Sequence, residues 1–347
     1  MLSCLPTELL LLIVEYVDDQ MWLIDLSMVN KQLREICSPA IFDTLVVKFT
    51  KMGLSNLIKA SDSPLSRYVR CIRYEAAEIL DPMVQYPEIF RSCIYTPDEY
   101  VRDWRDTPWR FRSRSISYSM IYTYFCVQAR DQQDIINDGL DTKALSESLP
   151  RFIGLHTIEL RFMTGLSYPY EWLASQALIN NSLSFSDHFK KLMMSMILAK
   201  ETGVLIRNFK VSGFYTSFNE NKKLCKLAEE AFSNIQTIHL LDSPTMLDCF
   251  SKLSIPFLRR LELATCWLSI SSLETFIRAH AETLRFLHFE EIWLLDSTSE
   301  SDHEHWDTGS TDRLLHRLEH IFQLGILSGV TINSRNDGQF EVEKIFD

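Results

Sequence analysis

Seven short apolar triplets recur along the chain with one internal spacing, at positions 1, 4 and 6. They are Val69-Ile72-Tyr74, Leu155-Ile158-Leu160, Ile206-Phe209-Val211, Ile235-Ile238-Leu240, Leu258-Leu261-Leu263, Leu284-Leu287-Phe289 and Leu327-Val330-Ile332. Alternate side chains of a strand point to opposite faces, so positions 4 and 6 share one face and position 1 packs the preceding turn. From residue 206 the starts fall at 235, 258 and 284, intervals of 29, 23 and 26 residues. Stacked repeats of a strand plus a helix run about 20–29 residues. Helical stripes fill the intervals. Residues 271–281 carry Leu273, Phe276, Ile277 and His280, and residues 222–232 carry Leu224, Leu227, Ala228 and Ala231. The pattern predicts an irregular α/β solenoid with parallel strands over residues 46–347.

Three stretches break the spacing. Residues 75–150 and 161–200 are too long for simple repeats, which predicts helices and loops that widen or cap the solenoid. The third is the 43-residue interval from 284 to 327. Its residues 296–312 hold Asp296, Glu300, Asp302, Glu304 and Asp307 among Ser, Thr and Gly, too polar to bury, which predicts an exposed acidic loop. The triplets resemble the LxxLxL core of leucine-rich repeats. Residues 273–287 resemble the repeats of fungal F-box proteins, in which a helix ending in histidine leads to Thr-Leu and a strand. His280 reads as that helix-end histidine, bonding nearby backbone.

The first 45 residues are different in kind. Pro6 suits a first helical turn, where its missing N–H costs nothing, and Glu8 suits the positive end of the helix. Residues 9–17 are then apolar nearly all round, so this helix needs cover on every side. Residues 21–28 and 30–36 predict two more short helices, and Ser38-Pro39 reads as the cap and first turn of a final one carrying Ile41 and Phe42. Three short helices cannot bury that surface alone.

The order Leu5-Pro6-x-Glu8-Leu9 … Ile13 … Val17 … Leu23 … Leu26-Ser27-x-Val29-Asn30-Lys31-x-Leu33-Arg34 … Pro39 … Phe42 resembles the F-box family in residue type and spacing. The Cys-Arg-x-Trp of many animal members is replaced by Asn30-Lys31-Gln32-Leu33-Arg34, as in many fungal ones. The resemblance implies an F-box over residues 1–45 that contacts a Skp-family adaptor and, through it, a cullin. By position the adaptor contacts would be Leu5, Pro6, Leu9, Ile13, Leu23, Leu26, Val29 and Leu33.

Composition sets the outer bounds. The 347 residues carry 46% hydrophobic and 23% charged residues with a net charge of −11. That balance disfavours broad phosphate-backbone binding. Eight scattered cysteines without a CxxC read as reduced thiols in a cytoplasmic or nuclear protein. No apolar run reaches the ~20 residues needed to cross a bilayer. Leu192–Ala199, bracketed by Lys191 and Lys200, reads as core helix, with Met193, Met194 and Met196 as filling. No nucleotide, hydrolase or zinc-protease motif is present, and residues 302–307 (Asp-His-Glu-His-Trp-Asp) read as solvated loop. No catalytic residue, cofactor or metal is expected.

Residues 102–114 interleave five arginines with Trp104, Trp109 and Phe111. Arg105, Trp109, Arg110 and Arg112 could hold an anionic ligand by stacking and pairing. A surface segment whose arginines pair with the acidic remainder is the preferred reading. The expected function is a non-catalytic substrate receptor of a Skp–cullin–F-box ubiquitin ligase, with an unknown protein target on the solenoid. The alternatives are an F-box scaffold outside the ligase and a nucleic-acid binder using residues 102–114.

Overall fold

A computed structural model describes residues 5–17, 19–106, 116–163, 181–214, 221–243, 245–295, 329–334 and 340–345. The chain is α/β. It opens with helices α1 (Thr7–Glu15), α2 (Gln20–Val29) and α3 (Lys31–Ile41). Then follow β1 (Thr44–Lys48), α4 (Lys51–Asp62), β2 (Cys71–Ala77), α5 (Pro97–Asp106), α6 (Tyr118–Asn137), α7 (Leu140–Ser148) and β3 (Thr157–Met163). Next come α8 (Asn181–Glu201), β4 (Asn208–Ser212), α9 (Lys222–Ala231), β5 (Thr237–Leu241), α10 (Thr245–Phe250), β6 (Arg260–Ala264), β7 (Trp267–Ser269) and α11 (Ile270–Ala279). The described chain closes with β8 (Phe286–Glu290), β9 (Trp293–Leu295), β10 (Gly329–Ser334) and β11 (Phe340–Ile345).

The main sheet is open and follows chain order, β1-β2-β3-β4-β5-β6-β8-β10-β11. Every pairing from β1 to β10 is parallel, and β11 returns antiparallel on β10. The apolar triplets explain this register. Ile72, Ile158, Phe209, Ile238, Leu261, Leu287 and Val330 stand opposite one another across successive strands, as do Tyr74, Leu160, Val211, Leu240, Leu263, Phe289 and Ile332. From β2 to β8 both rows are buried. A slip of one residue would turn every one of them to solvent, so the pattern fixes the pairing.

The buried rows face a layer of helices. Helix α4 packs on α7, α7 on α8 and α8 on α9, while α10 packs on α11. Met193 and Met196 of α8 lie in that core, and Met194 faces out. Strands β4, β5, β6 and β8 are each followed by a left-handed residue at the same register position: Gly213, Asp242, Thr265 and Glu291, with φ of 75°, 49°, 52° and 51°. That turn aims the N–H of Gly213, Asp242 and Thr265 at the last carbonyl of the next strand, at 2.9–3.1 Å. A side chain on Gly213 would meet the Phe162 carbonyl at 2.7 Å, so glycine is required there. After β5 and β6 the next position supplies a short polar side chain. Ser243 Oγ accepts from Phe214 N at 2.9 Å, and Cys266 Sγ donates to the Ala264 carbonyl at 3.1 Å.

Three sequence expectations change here. Strand β1 was not foreseen, although Phe42, Leu45 and Val47 repeat the 1, 4, 6 spacing. Phe42 packs against the N-terminal helical core, which hid its second role. A boundary at residue 45 therefore cuts through a strand. The helix at Ser38-Pro39 is not a new one. Helix α3 runs through Pro39, which sits in its last turn where one missing N–H does not end it, and Ser38 Oγ donates to the Arg34 carbonyl at 2.6 Å. The long stretch between β2 and β3 does hold helices, but with a core of its own, built on Leu80, Val84, Phe90, Tyr95, Ile121, Phe125 and Ala129. Buried Gln132 ties it to the sheet, accepting from Leu80 N at 2.8 Å and donating to the Glu78 carbonyl at 3.0 Å. Residues 296–312 lie outside the described residues.

Candidate protein-docking surfaces

Helices α1–α3 make a small separate core of Leu10, Val14, Leu23, Leu33, Ile36, Cys37 and Ile41. Side-chain caps start two of them. Asp19 Oδ1 accepts from Met21 N and Asn30 Oδ1 from Leu33 N, both at 2.8 Å. This core uses only one side of the apolar helix α1. Leu9, Leu12 and Tyr16, spaced along the other side, stay 46%, 49% and 85% exposed. Helix α2 likewise leaves Met21, Trp22, Met28 and Val29 exposed. Isolated exposed apolar residues are ordinary, but with Leu11 there are eight large ones along two short helices, which makes this a candidate contact surface.

The eight residues expected at an adaptor divide three ways. Leu23 and Leu33 are buried in the module's own core. Leu5, Ile13 and Leu26 pack against it half-buried. Pro6, Leu9 and Val29 are exposed. Leu12, Tyr16, Met21, Trp22 and Met28 were not singled out from the sequence. The signal was present in the all-round apolar character of α1.

The second surface is the outer face of the main sheet. Parallel sheets are normally covered on both faces. Here the residues between the buried rows are polar, and all but buried Glu159 reach solvent: Arg73, Glu159, Lys210, His239, Glu262 and His288 stand in register on successive strands. Glu159 is the most enclosed, with Arg73 Nε at 2.9 Å and Arg161 Nη2 at 3.3 Å. The Arg73 N–H is not aimed at the carboxylate, so charge holds the pair. Glu262 faces Arg260 at 2.8 Å and His239 at 3.8 Å. Burial lowers the His239 pKa, and Glu262 only partly offsets it.

Two further histidines are structural. His280 ends α11 as expected, but its Nε2 meets the Phe250 carbonyl of the preceding repeat at 3.2 Å rather than backbone close in sequence. His188, fully buried on α8, bonds the Tyr74 hydroxyl through Nδ1 at 3.0 Å and the Ala77 carbonyl through Nε2 at 2.8 Å. A carbonyl only accepts, so Nε2 carries the proton and Tyr74 donates to Nδ1. Burial pushes the His188 pKa down to about 4.

Of the arginine-rich segment, α5 is described to residue 106. Arg105 is exposed at its end, and Arg102 lies 3.9 Å from both Glu99 and Asp103. Trp109, Arg110 and Arg112 lie outside the described residues. Among the described residues no group of His, Cys, Asp and Glu could hold a metal ion, and no helix is long and apolar enough to cross a membrane. Comparison with family models, with curated proteins and with solved structures gave no match.

Proposed function

We propose that the chain is the non-catalytic substrate receptor of a Skp–cullin–F-box ubiquitin ligase. The F-box resemblance of residues 1–45 supplies the adaptor, and the exposed apolar stripes of α1 and α2 carry the reading. A module that keeps its own core and still leaves Leu9, Leu12, Tyr16 and Trp22 in water has apolar surface that a partner would cover. In this reading the triplets build a leucine-rich-repeat-like solenoid whose open sheet face holds a protein target. The chain then acts by proximity, holding target lysines near a ubiquitin-loaded conjugating enzyme.

The test is complex formation between the full chain and a purified Skp-family adaptor. Leu9→Glu and Leu12→Glu should each weaken the complex at least tenfold without changing the melting temperature, because both sites are solvated in the free protein. A stable complex that tolerates both changes would refute the assignment of these stripes. Absence of any complex would refute the F-box reading itself.

A further inference from the structure

The residue after position 1 of the first six triplets forms a second row, along the strand-start edge of the open face. The row reads Arg70, His156, Arg207, Gln236, Arg259, Arg285. Its backbone is tightly fixed. The Arg70 carbonyl accepts from His156 N and Thr157 N, that of His156 from Arg207 N and Asn208 N, and that of Arg207 from Gln236 N and Thr237 N. The Gln236 carbonyl accepts from Arg259 N and Arg260 N, and that of Arg259 from Arg285 N and Phe286 N. Each residue of the row is thereby held one strand spacing, about 4.8 Å, from the next.

Most cations on this face are neutralised. Arg73 and Arg161 share Glu159, Arg260 has Glu262, and Arg70 lies 4.0 Å from Asp43. Arg285 turns back onto the carbonyls of Ala281, Glu282 and Leu284. Three cations remain in the middle of the sheet. Arg207 before β4, Lys210 on β4 and Arg259 before β6 are exposed, and among the described residues no carboxylate lies within 4 Å of them. They stand in a chain whose net charge is −11.

We propose that this edge is a docking site for an acidic peptide segment of the protein target, lying extended across β4 to β6. Charge complementarity selects the ligand: fixed, unpaired cations favour carboxylates. Their spacing selects its form. A single phosphate is gripped by donors converging on one point. Here Arg207 and Arg259 are two strands, about 10 Å, apart. An extended chain of the polyproline II type has three residues per turn and rises about 3.1 Å per residue, so acidic side chains three residues apart share one face and would meet both. Net repulsion by the rest of the protein is screened beyond about 8 Å at physiological salt. The proposal rests on the reading of the open face as the target-binding surface, and is independent of adaptor binding.

The experiment titrates the full chain with a labelled 12-residue peptide bearing glutamate at every third position, at physiological salt. The controls are the same peptide with glutamine and a 12-nucleotide single-stranded RNA. The glutamate peptide should bind, the glutamine peptide should not, and Arg207→Glu and Arg259→Glu should each weaken binding at least tenfold. Arg207→Gln should have a smaller effect in the same direction. Both variants should still bind the Skp-family adaptor, and Leu12→Glu should still bind the peptide, so the two readings stand or fall separately. Absent or equal binding of the two peptides, or unchanged affinity in the Arg207→Glu and Arg259→Glu variants, would overturn the proposal. So would RNA binding that depends on these arginines while the peptide is ignored.

Discussion

The buried contact between α8 and β2 makes the fold sensitive to mild acid, and His188 sets where. In the folded chain its imidazole is enclosed, with the Tyr74 hydroxyl on one nitrogen and the Ala77 carbonyl on the other. Burial holds its pKa down at about 4, against the usual 6.5 of a solvated imidazole. The unfolded chain therefore takes up the proton first as pH falls. The stability this site contributes is complete above about pH 6.5 and is lost as pH falls from there toward 4. With those two values the loss at pH 5 is about 2 kcal/mol, rising to roughly 3 kcal/mol below pH 4. The chain has nine histidines, so the informative quantity is a difference. Urea unfolding of the wild type and of His188→Gln would be compared at pH 7.5 and pH 5. Glutamine does not titrate. The variant should be less stable at pH 7.5, and its further loss on acidification should be smaller than the wild type's by about 2 kcal/mol. Equal losses in the two proteins would refute a neutral, buried His188.

Further outcomes follow from burial and pairing. Leu5→Ala with Pro6→Ala should abolish adaptor binding and leave the sheet folded, read by co-purification beside thermal melting. Leu23→Ala or Leu33→Ala should instead lower the melting temperature of the helical module, because both side chains are in its core. Leu261→Ala should cost about 2–5 kcal/mol in chemical denaturation, since it removes a fully buried member of the central row. Gln132→Leu should cost about 1–3 kcal/mol for each partner it strands, the Leu80 N–H and the Glu78 carbonyl, and should speed amide exchange around residue 80.

Much of the sheet was legible because its signal is periodic. Positions 4 and 6 of all seven triplets lie on strands and meet in register. What escaped was carried by residues with two roles or by contacts distant in sequence. Phe42 closes the helical core and also opens the first strand's triplet, so reading it once hid β1. Ser38-Pro39 has the composition of a helix start, but about two turns of α3 precede it and local capping preference lost to their continuation. The Phe250 partner of His280 and the Gln132 staple join residues 30 and 52 or more positions apart, which no local pattern encodes. The arginine row was within reach, since each member directly follows position 1 of a triplet. Its meaning required knowing which neighbouring carboxylates were already paired. On the helical module the sequence indicated that cover was needed. Which side of α1 lacks it depends on how α1 seats on α3.

The central claim is that the N-terminal helices dock an adaptor while the open sheet face stays available. Amide hydrogen exchange of the full chain, with and without a saturating Skp-family adaptor, tests it most directly. Adaptor-induced protection is expected across α1 and α2, with unchanged exchange in β4, β5 and β6. Unchanged exchange in α1 and α2 in the presence of adaptor, or protection centred on the sheet, would contradict it.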